Sequence, residues 1–312
     1  MAVDSTVSIG GDLRVCRLGF GAMRLTGPGI WGQPADREGA RAVLRAAVRL
    51  GVDFIDTADS YGPLVSEELI AEALRPYPPD VVLATKGGFR RSGPGRWQPD
   101  GRPEHLRRAC EGSLRRLGVD RIDLYQLHTV DRRTPFEESV GALADLRREG
   151  KVRHIGLSNV SIDELERART IVPVVSVQNR YNVVDRGAED VLRYCDRQGI
   201  AFICWLPLAR GTLGRHAGRL RDMAIAYGAT PSQLVLAWLL QRSPRAVPIP
   251  GTSSVAHLEE NVGALDLQLS AEDVRALDEF RLDRVTLLLG AARKGRRRTL
   301  ARLRRLQPPR GR

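Results

Sequence analysis

No apolar run in this chain approaches the roughly 18 residues that a membrane-spanning helix requires; residues 285–292 come nearest and fall far short. The opening residues lack a basic stretch followed by an apolar one, so no secretory leader is expected. Cysteine is scarce: Cys16, Cys110, Cys195 and Cys204 are scattered without C-x-x-C spacing. That argues against a disulfide scaffold and for reduced thiols in a cytoplasmic protein. Metal-ligand clusters, a phosphate-binding P-loop and a Ser-His-Asp motif are all missing, so neither a bound metal nor those two chemistries are expected.

Acidic residues are nearly absent from one region. Residues 281–312 hold twelve Lys or Arg against Asp283 alone, so +11 of the net charge of +12 lies there and +1 remains for residues 1–280. The basic character belongs to an appendage. Two units are therefore expected: a folded body over 1–280 and an Arg-rich, mobile tail over 281–312. Aromatic residues do not interleave the tail's charges. Non-specific attraction to polyanions is expected of it, and no dedicated nucleic-acid site.

What the chain does have is a rhythm. Short β-branched runs at 18–22, 53–56, 81–86, 122–127, 153–157, 174–178, 201–204 and 246–249 alternate with amphipathic helical patterns. Ser66, Ser161 and Thr230 read as helix caps, and Gly51, Gly118, Gly150 and Gly199 as left-handed helix stops. Eight strands joined by helical crossovers predict a closed (β/α)₈ TIM barrel rather than an open sheet. Residues 7–9 and 13–15, flanking Gly10-Gly11, predict an N-terminal β-hairpin at the barrel's bottom. Gly27, Gly29 and Gly32 satisfy G-x-G-x-x-G, yet no strand leads into them and no helix follows at once. They read as a loop over the barrel mouth.

In such a barrel, chemistry sits at the C-terminal strand ends. Asp56 ends the second strand, Tyr61 follows in DTADSYG, Lys86 ends the third in LATKGG, and His128 follows the fourth in LYQLH. Any one of them alone reads as structural, and Asp56 with Lys86 could form a simple buried ion pair. Together they aim an acid, a base and a phenol at one mouth.

These segments, with GKVRHIGLSNV, VQNRYN, LPLARG and IPGTSSVAHLEEN, are similar to the aldo-keto reductase superfamily over residues 13–280. The stretch LGFGAMRLTGPGIWGQP, with YP at 77–78, further resembles the bacterial pyridoxal-reductase-like branch. The resemblance implies an oxidoreductase that reduces an aldehyde or ketone by hydride transfer from NADPH, with NADH as the second candidate and pyridoxal among the substrates. It implies Tyr61 as proton donor, Lys86 lowering its pKa, Asp56 orienting Lys86, and His128 placing the carbonyl. It also implies cofactor contacts at Gly21, Met23, Ser158, Asn159, Gln178, Trp205, Leu208, Arg210, Gly211, Gly251, Thr252, Ser253, His257, Glu260 and Asn261. Trp31, Phe89 and Trp97 are candidate walls of the substrate pocket. The pattern departs from many relatives where they place Lys after the proline matching Pro250 and Arg six residues on. Here Gly251 and His257 stand in those places. Barrels of this family also serve as cofactor-binding regulatory subunits, which is the alternative reading.

Overall fold

The computed structural model describes residues 5–209 and 217–280. A hairpin of β1 (Thr6–Ile9) and β2 (Leu13–Cys16) precedes eight parallel strands. Those are β3 (Phe20–Gly21), β4 (Phe54–Asp56), β5 (Val82–Gly87), β8 (Ile122–Leu127), β9 (Val152–Ser158), β10 (Val174–Arg180), β11 (Ala201–Trp205) and β12 (Ala246–Pro248), hydrogen-bonded in chain order. The sheet closes on itself. Gly19 N–H donates to the Pro248 carbonyl at 3.0 Å and Gly21 N–H to that of Pro250 at 3.3 Å. The barrel is complete, as the strand rhythm predicts.

Helices cover the outside: α1 (Arg37–Arg49), α2 (Val65–Leu74), α3 (Pro103–Leu117), α4 (Phe136–Arg148), α5 (Ile162–Arg169), α6 (Glu189–Gln198), α7 (Ala217–Ala226), α8 (Pro231–Arg242), α9 (Val255–Val262) and α10 (Ala271–Asp278). α5 and α8 open on full capping boxes from Ser161–Glu164 and Thr230–Gln233. Gly51, Gly118, Gly150 and Gly199 all take positive φ, as helix stops should. Ser66 is a correction. α2 already begins at Val65, and the buried Ser66 hydroxyl accepts a hydrogen bond from Thr57 Oγ1 at 2.8 Å instead of capping. α8 is buried over Leu234–Leu240 and reads as a core helix. No single helix among the described residues is long and apolar enough to cross a membrane.

Inside the barrel, Phe54, Val82, Ala84, Leu124, Ala201, Ile203, Val247 and Ile249 form an apolar lower core with Val7, Ile9, Leu13 and Val15 of the hairpin. The hairpin therefore plugs the bottom, as its sequence predicts. Asp12 at its turn ties it to β9, accepting from Arg153 Nη2 at 2.7 Å and lying 2.6 Å from His154 Nε2. One further hairpin is absent from the sequence reading: β6 (Phe89–Gly93) and β7 (Arg96–Pro99) pair antiparallel in the connection after β5. The four cysteines are buried free thiols. The Arg-rich segment 281–312 lies outside the described residues.

The closing seam depends on glycine. A Cβ on Gly19 would meet the Phe54 ring at 2.7 Å, and one on Gly21 would meet the Ile249 carbonyl oxygen at 2.7 Å. The second contact is backbone, which cannot swing away. Gly21→Ala should therefore cost about 1–3 kcal/mol, the usual penalty of overpacking a tight site. A urea midpoint unchanged from the parent protein would show that the seam yields.

Candidate active site

Each predicted reactive side chain reaches the barrel mouth from a strand end. Asp56 is the last residue of β4, Lys86 lies in β5, His128 follows β8 directly, and Tyr61 hangs in the loop after β4. All four are buried. Lys86 Nζ donates to Asp56 Oδ1 at 2.6 Å and to the Thr57 carbonyl at 2.7 Å. The other Asp56 oxygen accepts from Gln178 Nε2 at 2.8 Å and Gln126 Nε2 at 3.2 Å. Both carboxylate oxygens are thus partnered, which is the condition for holding a buried ion pair. Gln126 escaped the sequence reading, although its alternate spacing within LYQLH puts it on the inner face.

Lys86 Nζ lies 5.2 Å from the Tyr61 ring centroid. Burial pushes the Tyr61 phenol up, Lys86 pulls it down and Asp56 pushes it up; the net lies above an ordinary phenol. Lys86 acts with the expected sign but does not prevail over burial. For Lys86 itself, burial works against the charge, yet Asp56 and Tyr61 hold its pKa above the usual value. His128 is driven well below the ordinary imidazole range by burial, with Lys86 and Arg91 adding to the effect, so it is neutral at neutral pH. Ser60 Oγ lies 3.4 Å from its Nδ1.

A cavity of about 640 Å³ opens above these groups. Phe89 and Trp97, delivered by the β6–β7 hairpin, wall it together with Tyr61 and His128. The Phe89 and His128 rings meet edge to face at 4.7 Å, Phe89 and Trp97 at 5.3 Å, and Tyr61 and His128 at 5.7 Å. Arg91 fixes the hairpin, its guanidinium 3.7 Å from the Trp97 centroid and its Nη1 donating to the Ser60 carbonyl at 2.8 Å. Trp31 is a correction: it does not line the cavity. Ile30, held at φ 57, lines it instead, and Trp31 faces Arg91 with 5.6 Å to the guanidinium.

Of the expected contact residues, Gly21, Met23, Ser158, Asn159, Gln178, Trp205, Leu208, Gly251 and Glu260 line this cavity. Ser253 lines an adjoining one. Thr252, His257 and Asn261 line neither. Thr252 is turned into its own bend, accepting from Ser254 N–H at 3.1 Å; His257 stands exposed on α9; Asn261 is buried. Arg210 and Gly211 lie outside the described residues. Trp205 is tied to its neighbours, its Nε1 donating to Asn159 Oδ1 at 3.0 Å while Asn159 Nδ2 donates to the His128 carbonyl at 3.1 Å. Asn159 and Leu206, both on the cavity wall, join Ile30 at positive φ. Strained backbone thus gathers around this one opening.

A family model described as "Aldo/keto reductase family" matches residues 17–282. An uncharacterized oxidoreductase of Schizosaccharomyces pombe is 50% identical over 274 residues, covering 88% of this chain and 89% of the relative. The pyridoxine 4-dehydrogenase of Escherichia coli is 45% identical over 274 residues, covering 86% and 96%. Among solved structures, an aldo-keto reductase from Klebsiella pneumoniae in complex with NADPH aligns with a TM-score of 0.75 at 32% identity, covering 88% of this chain and 94% of that one.

Two residues before Tyr61, the carboxyl of Asp59 is buried with its Oδ1 unpartnered among the described residues. Burial, reinforced by the nearby Glu67 carboxylate, raises its pKa to about 8. A carboxyl raised in the folded state weakens folding as pH climbs from its unfolded value to its folded one, because the unfolded chain ionises first. The cost is absent below pH about 4 and grows steadily as pH rises towards about 8. Asp59→Asn, which carries no charge to desolvate, should stabilise the protein increasingly from pH 4 to 8. A variant-minus-parent stability difference that stays flat over that range would remove the assignment.

Proposed function

Because the chain belongs to the aldo/keto reductase family, and so is an oxidoreductase, we propose that it reduces an aldehyde to an alcohol with NADPH, using Tyr61, Lys86, Asp56 and His128. The observation that carries this reading is the Lys86–Asp56 pair beside the Tyr61 phenol at the floor of one cavity.

The residues present fit a nicotinamide nucleotide. Ser158, Asn159 and Gln178 gather hydroxyl and amide groups at the ends of two neighbouring strands, β9 and β10, a donor set suited to a carboxamide. Gln178 commits its nitrogen to Asp56 and Gln126, which leaves its Oε1 as the acceptor. Trp205 supplies a broad ring face, and the glycine seam at Gly21 and Gly251 leaves a cradle that any Cβ would fill. When bound, the reduced nicotinamide supplies a hydride to a carbonyl carbon.

The protein's part is the proton. Tyr61 keeps its hydroxyl protonated at neutral pH, so a proton is available for the carbonyl oxygen. Lys86, held charged by Asp56, faces the phenolate left behind and compensates it. Neutral His128 orients the carbonyl by a hydrogen bond. Its Nδ1 lies 3.4 Å from Ser60 Oγ, and the tautomer in which Nδ1 accepts there is the one that carries a proton on Nε2 for the carbonyl.

The edge-on rings of Phe89, Trp97 and His128 suit a flat aromatic substrate. With 45% identity to the E. coli pyridoxine 4-dehydrogenase, pyridoxal is the aldehyde we propose. Initial rates with NADPH and NADH across pyridoxal, aryl aldehydes, ketones and sugar aldehydes should give pyridoxal the highest kcat/KM. Tyr61→Phe should lower kcat by about 10²–10⁴-fold with cofactor binding intact. Turnover that survives the substitution would remove Tyr61 from its role.

A further inference from the structure

Gly251, just after β12, carries no side chain, and the seam gives the reason. A Cβ on Gly251 would lie 2.5 Å from the Gly21 carbonyl oxygen, a backbone atom that cannot move aside. The next nearest side-chain atom to that point is Arg24 Cγ, at 3.4 Å. Arg24 leaves the other side of the seam, just after β3, and its aliphatic stem covers the ground that a residue at 251 would occupy.

The position of Arg24 is shared between two openings. It lines the 640 Å³ cavity with Gly251, and an adjoining cavity of about 740 Å³ with Ser253. Its side chain is exposed, and its guanidinium has no hydrogen-bond or ionic partner among the described residues. Among the described residues, the other charged groups nearest this mouth have partners. Arg91 donates to the Ser60 and Gly29 carbonyls, and Arg180 pairs with Asp185 at 2.6 Å. Asp36, on the far wall of the adjoining cavity, accepts from Gly39 N–H at 2.7 Å, and Glu260 accepts from Thr230 Oγ1 at 2.6 Å.

Resting on the reading of the larger cavity as a nicotinamide-nucleotide site, we infer that Arg24 is the residue that grips the 2′-phosphate of NADP(H). It does so from across the seam, with the Ser253 hydroxyl beside it. A guanidinium presents several N–H donors to one phosphate, which is the geometry phosphomonoesters favour. Discrimination between NADPH and NADH then resides in the loop after the first barrel strand, on the side of the seam away from Gly251.

Equilibrium binding of NADPH and NADH, followed by quenching of tryptophan fluorescence, tests this without turnover. Arg24→Ala should weaken NADPH about 10- to 100-fold, the worth of one or two hydrogen bonds to a charged group, and leave NADH within about twofold. Arg24→Lys should recover part of the loss, and unchanged NADH binding certifies the fold. Equal weakening of both nucleotides would overturn the inference by placing Arg24 on the diphosphate they share. So would no change in either. If the unsubstituted protein binds neither nucleotide, the cofactor reading itself falls, a result distinct from both.

Discussion

A charged lysine with no exposure to water is held 2.6 Å from an equally buried aspartate, and the upper barrel is organised around keeping that pair tolerable. Removing both charges from water costs more than their attraction returns unless every remaining lone pair and N–H is met. The barrel meets that demand with residues from four strands. Asp56 comes from β4, Lys86 from the neighbouring β5, Gln126 from β8 and Gln178 from β10, so the hydrogen bonds that converge on Asp56 link four strands inside the barrel. Below this layer the interior is apolar and closed by the hairpin; above it lies the cavity. Polar networks of this kind are stiff because no member can turn without stranding another. The phenol and imidazole at the mouth rest on that stiffness.

The walls of the mouth are built differently from its floor. They come from connections: the β6–β7 hairpin, the 27–32 loop and the turns after β9 and β11. Arg91 joins the first two, donating to Gly29 on one side and to Ser60 on another while covering the Trp97 ring. Asn159 joins the others through Trp205 and the His128 carbonyl. Floor and walls thus answer to separate constraints, charge satisfaction below and ring packing above. That division lets a family keep its chemistry while the loops choose the substrate.

Much of this was legible in the sequence, for identifiable reasons. Alternating short apolar runs and amphipathic helices specify parallel strands with helical crossovers, and Ile122–Leu127 matches its predicted bounds in full. Asp56, Lys86 and His128 were legible as candidates because strand ends fix direction as well as position, and Tyr61 because it follows Asp56 closely in DTADSYG. The β6–β7 hairpin was not, since Phe89–Gly93 and Arg96–Pro99 hold three arginines among nine residues and show no apolar alternation. Trp31 and Ile30 are neighbours in a loop without a regular repeat, so the sequence carries no sign of which one faces the cavity. Ser66 looked like a cap because its spacing suits one, but burial beside Thr57 gave its hydroxyl another partner. Arg24 gave no signal at all. A lone arginine in a loop acquires meaning only when the fold sets it against Gly251.

The seam has an entropic side as well. Arg17, just before the first barrel strand, sends its guanidinium to the Leu240 carbonyl at the end of α8, 223 residues along the chain. Gly19 and Gly21 must then find Pro248 and Pro250 over a similar span. Contacts so distant in sequence bear the largest loop-closure entropy. The cleft beside the seam is complete only where the two ends of the barrel meet, and a barrel open at that join has a floor without a clasp. A nucleotide seated across that join would hold first and last strands together, acting as a latch against the opening of the barrel at its own point of closure.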